Sequence, residues 1–136
     1  MPDAKAVIVH SLAHAFAAAE TAQSLGVPVT LRSAAGAAGY AGVGWFAALA
    51  AAARERFPSA DVTFVLDCGD EAGTVMGALR RGIRRVRFHG PPEVAVKLAA
   101  MGVELDGDEA PALDLRGAGD PATACRKFLA ASDPAR

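Results

Sequence analysis

Two patterns of hydrophobic residues alternate along this chain, one typical of β-strands and the other of α-helices. Short β-rich runs are each followed by a longer alanine-rich stretch that is typical of an α-helix. Glycine or proline closes these helical stretches, as at Gly26, Pro58, Gly82 and Gly102. The pattern predicts strands over 6–10, 27–33, 62–66, 85–88 and 103–105, with 112–115 as a candidate for a short sixth, and helices over 12–25, 45–57, 71–81, 93–101 and 121–131.

The alternation of strand and helix, with connections of a few residues, predicts an α/β fold. We expect a parallel sheet of about five strands flanked by helices, and two architectures fit it. One is half of a (βα)8 barrel and the other is an open, flavodoxin-like sheet. No linker or low-complexity segment interrupts the 136 residues, which predicts a single domain over 1–136.

In both architectures ligands bind at the carboxyl ends of the strands. Several polar or small residues lie at those ends and are the candidate site residues. They are His10, Ser11, Ser33, Gly36, Asp67, Cys68, Asp70, His89 and Gly90.

Three consecutive predicted strands each carry polar residues on one of their two faces. Alternation gives each of them one apolar face and one mixed face, and the mixed face carries Arg32, Asp67, Arg87 and His89. A sheet covered by helices on both sides would show nearly continuous apolar runs. The pattern therefore favours a half-barrel whose mixed face is covered by the segment 107–136 or by a second subunit, and we expect a homo-oligomer.

Three segments carry a family resemblance: PVTLRSAAGAAGYAG (28–42), VTFVLDCGD (62–70) and ALRRGIRRVRFHGP (78–91). In order and spacing they resemble the class II fructose-bisphosphate aldolases, which are metal-dependent enzymes with a (βα)8 barrel. The resemblance covers about residues 6–106, and the segment 107–136 forms an extension without a counterpart. It implies that this chain corresponds to the first half of such a barrel.

The chain departs from the aldolase motifs at the position of the zinc ligand and in the D-G-S motif. The family's third strand ends in L-D-H-G, where Asp is the proton donor and His is a zinc ligand. Here Asp67 matches the acid, Cys68 replaces the ligand, and His89 replaces the Asp of a D-G-S motif. A catalytic zinc needs about three protein ligands, and the resemblance supplies at most one. Zinc on Cys68 and His89 therefore stays open as an alternative, but it is not favoured.

The same residues allow other interpretations. Cys68 beside His89 could be an activated thiol, although the negative charges of Asp70 and Glu71 disfavour a thiolate. A lone buried cysteine is more often a small apolar residue. Asp70 fits equally well as the N-cap of the following helix. The glycines from Gly36 to Gly44 lie where phosphate cradles occur, but they match no phosphate-binding motif.

Charge and cysteine content exclude some partners. Fourteen Lys and Arg residues against fifteen Asp and Glu give a net charge of −1, so nucleic-acid binding is not expected despite the arginines between Arg80 and Arg87. No apolar run reaches the ~20 residues that cross a bilayer, so no membrane partner is expected. Two cysteines without C-x-x-C spacing fit a reducing, cytoplasmic location.

Two functional hypotheses follow from the sequence. The favoured one is a small-molecule-binding or assembly module related to half of a class II aldolase barrel, without aldol-cleavage activity. The alternative is a metal-assisted lyase or isomerase with Asp67 as its acid or base, and with a site at the strand ends that a homodimer completes. The sequence does not identify the ligand.

Overall fold

A computed structural model describes residues 4–131 of the chain. Within that range the chain forms six strands and six helices. The strands are β1 (Lys5–Ile8), β2 (Val29–Arg32), β3 (Val62–Asp67), β4 (Arg85–Arg87), β5 (Glu104–Leu105) and β6 (Leu113–Asp114). The helices are α1 (Leu12–Leu25), α2 (Ala37–Tyr40), α3 (Val43–Arg56), α4 (Ala72–Arg80), α5 (Pro92–Ala100) and α6 (Pro121–Ala130).

The strands form one parallel sheet in the order β5-β4-β3-β2-β1-β6. Leu66 lies opposite Val86 in the β3–β4 pair, and Arg85 lies opposite Glu104 in the β4–β5 pair. At the other edge Val7 of β1 lies opposite Leu113 of β6. The predicted α/β class and parallel sheet are confirmed, with six strands rather than about five. The strands from β1 to β5 are neighbours in the order in which the chain makes them.

Some element boundaries differ from the predicted ones for local reasons. The predicted loop over 34–44 contains the short helix α2, which begins after Gly36 in a left-handed conformation with φ of 68°. Strand β2 begins at Val29 because Pro28 has no N–H to donate to a neighbouring strand. Glu71, and not Asp70, is the N-cap residue of α4, which corrects the capping role expected for Asp70.

Residue contacts divide the chain into two compact units. Among the described residues, the first contains 4–31, Leu49–Thr63 and 110–131. Helix α1 packs on α6 there, and four alanines of α1 are buried, which lets a neighbouring backbone approach closely. The Phe16 and Phe57 rings meet edge to face in the same unit, with their centroids 5.8 Å apart.

The second unit contains Arg32–Ala48 and Phe64–Glu109. Its core includes Phe46 and Phe64, whose ring centroids lie 6.2 Å apart, together with Val75 of α4 and Val86 of β4. Leu98 of α5 is also buried. None of the helices within residues 4–131 has the length and apolar character that crossing a bilayer demands.

Candidate functional site

The second unit brings several of the predicted site residues together around Asp67. This residue ends β3, and its side chain is only 6% exposed. Its Oδ1 accepts hydrogen bonds from the backbone N–H groups of Gly36, at 3.0 Å, and Gly69, at 2.9 Å. Its own backbone N–H donates to Ser33 Oγ at 2.9 Å. Asp67 therefore fixes the connection that follows β2 and the turn that follows β3.

The two donors to Asp67 are glycines for a conformational reason. Gly36 has φ of 68° and Gly69 has φ of 59°, which is the left-handed region that side chains disfavour. A Cβ on Gly69 would also lie 3.9 Å from the Gly36 Cα, which shows how closely the two turns approach. Because Gly36 donates to Asp67, its N–H is not available to a phosphate, and the phosphate-cradle interpretation of this loop loses that donor.

His89 is the exposed partner of Asp67. It lies two residues beyond β4, and its backbone N–H donates to Gly69 O at 2.7 Å. Its Nε2 lies 3.2 Å from Asp67 Oδ2, while 54% of its side chain is exposed. The carboxylate thus orients the ring, and the remaining ring nitrogen belongs to a side chain that solvent and ligands can reach.

Arg87 is held by the Asp106 carboxylate and by the Asp108 backbone carbonyl, both of which follow β5. Its Nη1 donates to Asp106 Oδ2 at 3.1 Å and to the Asp108 backbone oxygen at 3.0 Å. Its Nε lies 3.9 Å from Asp67 Oδ2, and only 13% of its side chain is exposed. The alternation of residues along β4 correctly placed Arg87 on the mixed face. The structure shows in addition that the turn after β5 contacts this side chain.

Arg32 ends β2 beside this network and is 8% exposed. Burial and the positive charge of Arg87 lower the pKa of its guanidinium, while Asp106, Asp108 and Asp67 oppose that shift. These influences place Arg32 in the same electrostatic cluster as Arg87. The cluster formed by Arg32, Asp67, Arg87, His89 and Asp106 is called the strand-end cluster below.

Cys68 follows Asp67 directly but is isolated from that chemistry. It is 3% exposed, and its Sγ lies 3.9 Å from the Leu66 backbone oxygen. Burial, aided by the negative charge of Asp67, raises the pKa of the Cys68 thiol to about 12. A thiol with so high a pKa remains protonated at neutral pH, which disfavours a nucleophilic role.

The donor set in this unit does not fit a catalytic zinc. Among residues 4–131, no three His, Cys, Asp or Glu side chains are grouped so that they could hold a metal ion. His89, the second predicted ligand, directs its Nε2 to Asp67. Zinc chemistry is therefore not assigned to these residues.

The other predicted residues of this unit have structural roles or stand apart. Ser33 is buried, accepts from the Asp67 N–H, and donates through Oγ to the Ala34 backbone oxygen at 3.2 Å. Gly90 lies against the ring of Phe88, since a Cβ there would be 2.3 Å from Phe88 Cζ. Asp70 is exposed.

His10 and Ser11 belong to the first unit and form a different group. His10 Nε2 lies 2.6 Å from Asp114 Oδ1, and the Arg116 backbone N–H donates to the same oxygen at 2.9 Å. Ser11 is the N-cap of α1, and its Oγ accepts from the His14 N–H at 3.1 Å. The predicted ligand-binding role of Ser11 thus competes with a clear role in capping.

Sequence reasoning missed Asp106 and Asp108 because they follow β5, a strand of only two residues. The available signal was the segment ELDGD (104–108), where two carboxylates come directly after a strand. Arg32 was placed on the mixed face but was not included among the site residues.

Comparison with known proteins identifies no relative of this chain, since no protein-family model and no curated protein matches it.

Proposed function

We propose that this chain is a small-molecule-binding module that uses the strand-end cluster and does not catalyse aldol cleavage. The observation that carries the proposal is the way in which Asp67 is engaged. Two backbone N–H groups hold one of its oxygens, and His89 faces the other. The result is a rigid frame that presents an oriented imidazole at the end of the sheet.

The burial of Asp67 supports binding over lyase or isomerase chemistry. A catalytic acid or base must come within hydrogen-bond reach of the substrate atom from which it takes, or to which it gives, a proton. With its side chain 6% exposed, Asp67 is less suited to that contact than His89, which is 54% exposed. Asp67 is therefore proposed as a positioning residue and His89 as a contact residue.

We also propose a relationship to the first half of a class II aldolase barrel. The order of β1 to β5 supports it, because successive strands of a (βα)8 barrel are neighbours in chain order. The flavodoxin-like order, 2-1-3-4-5, instead places the second strand outside the first. Fold kinship does not transfer activity. The reasons for proposing that aldol cleavage is absent are the burial of Cys68 and the lack, among residues 4–131, of three grouped side chains that could hold a metal ion.

Two-dimensional ¹H–¹⁵N NMR spectra test the binding proposal. Glycerol, glycolamide, glycolate and inorganic phosphate would be titrated separately, so that a neutral polyol, a neutral amide, a carboxylate and a phosphate are compared. We expect at least one of them to shift the amide signals of Gly36, Gly69 and His89 saturably. His89→Ala should weaken that binding, and Lys97→Ala, at an exposed position in the last turn of α5, should not. No saturable shift with any of the four would contradict the proposal.

A second assay tests the absence of aldol cleavage. Fructose 1,6-bisphosphate would be incubated with the protein and added Zn²⁺, and triose phosphate formation would be followed. We expect no rate above that of a sample without protein. Cleavage that is lost in Asp67→Ala, in a variant that still folds, would overturn this part of the proposal.

A further inference from the structure

Arg32 is the one member of the strand-end cluster whose charged group lacks a direct protein partner among the described residues. It is 8% exposed, yet no hydrogen bond or ion pair joins its guanidinium to any residue of 4–131. No fully buried side-chain nitrogen in that range is without a hydrogen-bond partner. The Arg32 nitrogens therefore retain access to solvent although the residue around them is buried.

Burial removes most of the water around the Arg32 side chain without supplying a direct protein partner, so an anion that reaches its nitrogens from outside the protein would stabilise the arrangement. Arginine is rarely buried without a partner, because removing its charge from water costs free energy that a pairing must offset. Arg87 shows the usual solution in the same unit, where Asp106 and the Asp108 backbone oxygen take its Nη1. Arg32 feels Asp67, Asp106 and Asp108 only at longer range, and Arg87 repels it.

We propose, resting on the binding function above, that Arg32 anchors the carboxylate of a small monoanionic ligand. The planar guanidinium presents N–H donors in a fork that matches the two oxygens of a carboxylate. Asp106 already engages Arg87, whereas no hydrogen bond or ion pair within residues 4–131 engages the Arg32 guanidinium.

Charge decides between a carboxylate and a phosphate. The groups around the site comprise two arginines, Arg32 and Arg87, and three acids, Asp67, Asp106 and Asp108. A ligand with a single negative charge that pairs with Arg32 is repelled by these acids less strongly than a dianion is. A phosphate dianion would bring twice the charge against the same three carboxylates. A monocarboxylate is therefore the ligand class that this electrostatic arrangement fits.

The test compares glycolate with its neutral analogue glycolamide and with inorganic phosphate. Binding would be followed through the Arg32 side-chain Nε–Hε signal, assigned by its loss in Arg32→Gln. We expect glycolate to shift this signal saturably, and Arg32→Gln to weaken glycolate binding by about tenfold or more, as measured on the backbone amides. Arg85→Gln is the matched control, because Arg85 loses the same charge but is exposed and paired with Glu104.

Each outcome bears on the proposal. Equal glycolate binding in wild type and Arg32→Gln, or phosphate binding tighter than glycolate binding, would overturn it. If glycerol or glycolamide shifts the amides of Gly36, Gly69 and His89 while glycolate does not, the binding function stands and the carboxylate proposal fails. If none of the probes binds, both fail. Should Arg32→Gln not fold, Arg32→Lys serves instead, since it keeps the charge but loses the fork, and weaker glycolate binding is expected.

Discussion

At the scale of single residues, Asp67 stabilises two neighbouring turns through the hydrogen bonds that its carboxylate accepts. Its Oδ1 accepts two backbone N–H groups, one from each of two turns. Asp67→Ala would leave those donors without an acceptor, and we expect it to lower the free energy of unfolding by about 3 kcal/mol. Urea denaturation would measure the change.

A neighbouring variant controls for this effect. Asp70 is also an aspartate near the end of β3, but it is exposed. Asp70→Ala should change the free energy of unfolding by no more than ~0.5 kcal/mol, as is usual for surface substitutions. Equal destabilisation by the two substitutions would show that the hydrogen bonds to Asp67 Oδ1 contribute little.

The two cysteine residues make a second prediction at this scale. Cys68 and Cys125 are both buried, and burial raises the pKa of the Cys68 thiol to about 12 and that of the Cys125 thiol to about 11. We expect a disulfide reagent at mildly alkaline pH to label both thiols of unfolded protein at once and both thiols of folded protein slowly. Rapid labelling of one native thiol, lost in Cys68→Ala, would revive the nucleophile interpretation.

At the scale of elements, the start of α1 depends on protonation. The Nδ1 atom of His14 accepts the His10 backbone N–H at 3.0 Å, which requires an unprotonated Nδ1. Burial, together with the charge of His10, lowers the pKa of His14 below its usual 6.5, and Asp114 opposes this. Near neutral pH His14 is therefore uncharged in the folded chain and keeps the link between His10 and α1.

The sign of the resulting pH dependence follows from that lowered pKa. Below pH 6.5 the unfolded chain takes up a proton at position 14 before the folded chain does. The stability contributed by His14 is thus fully present above pH 6.5 and is lost as the pH falls through its folded pKa. We expect His14→Asn to reduce the loss of stability between neutral and mildly acidic pH, measured by urea denaturation at several pH values. An unchanged pH profile would contradict the assignment.

The elements also show what the sequence could predict. Helix α1 was predicted with its observed bounds, and Gly26 was the signal for its end; the structure adds Ser11 as the N-cap residue at its start. Helix α2 was missed because a four-residue helix has too few positions to establish a period. The pairing of His89 with Asp67 depends on a side-chain orientation, which strand order alone cannot fix. The Arg87 contacts depend on the conformation of the turn after β5. A turn has no hydrophobic periodicity from which its conformation could be predicted.

At the scale of the whole molecule, the sheet ends on both sides in strands of two residues, β5 and β6. Such short edges offer few free backbone groups, which disfavours association by strand addition. The homo-oligomer expected from the sequence stays a prediction, and it would have to use side chains. Large apolar side chains remain exposed on and after α5, where Val96 is 70% and Met101 is 50% exposed.

Sedimentation velocity tests this association. We expect wild-type protein to sediment as a species heavier than the 13.8 kDa chain. The double variant Val96→Glu/Met101→Glu should sediment as a monomer, because each substitution would bury a charge in the interface. Tyr40→Glu is the matched control, since Tyr40 is another large exposed side chain of the same unit, at 68%, and lies away from α5 in sequence. Wild-type protein that sediments as a monomer at every concentration would contradict the prediction, and a control variant that also dissociates would place the interface elsewhere.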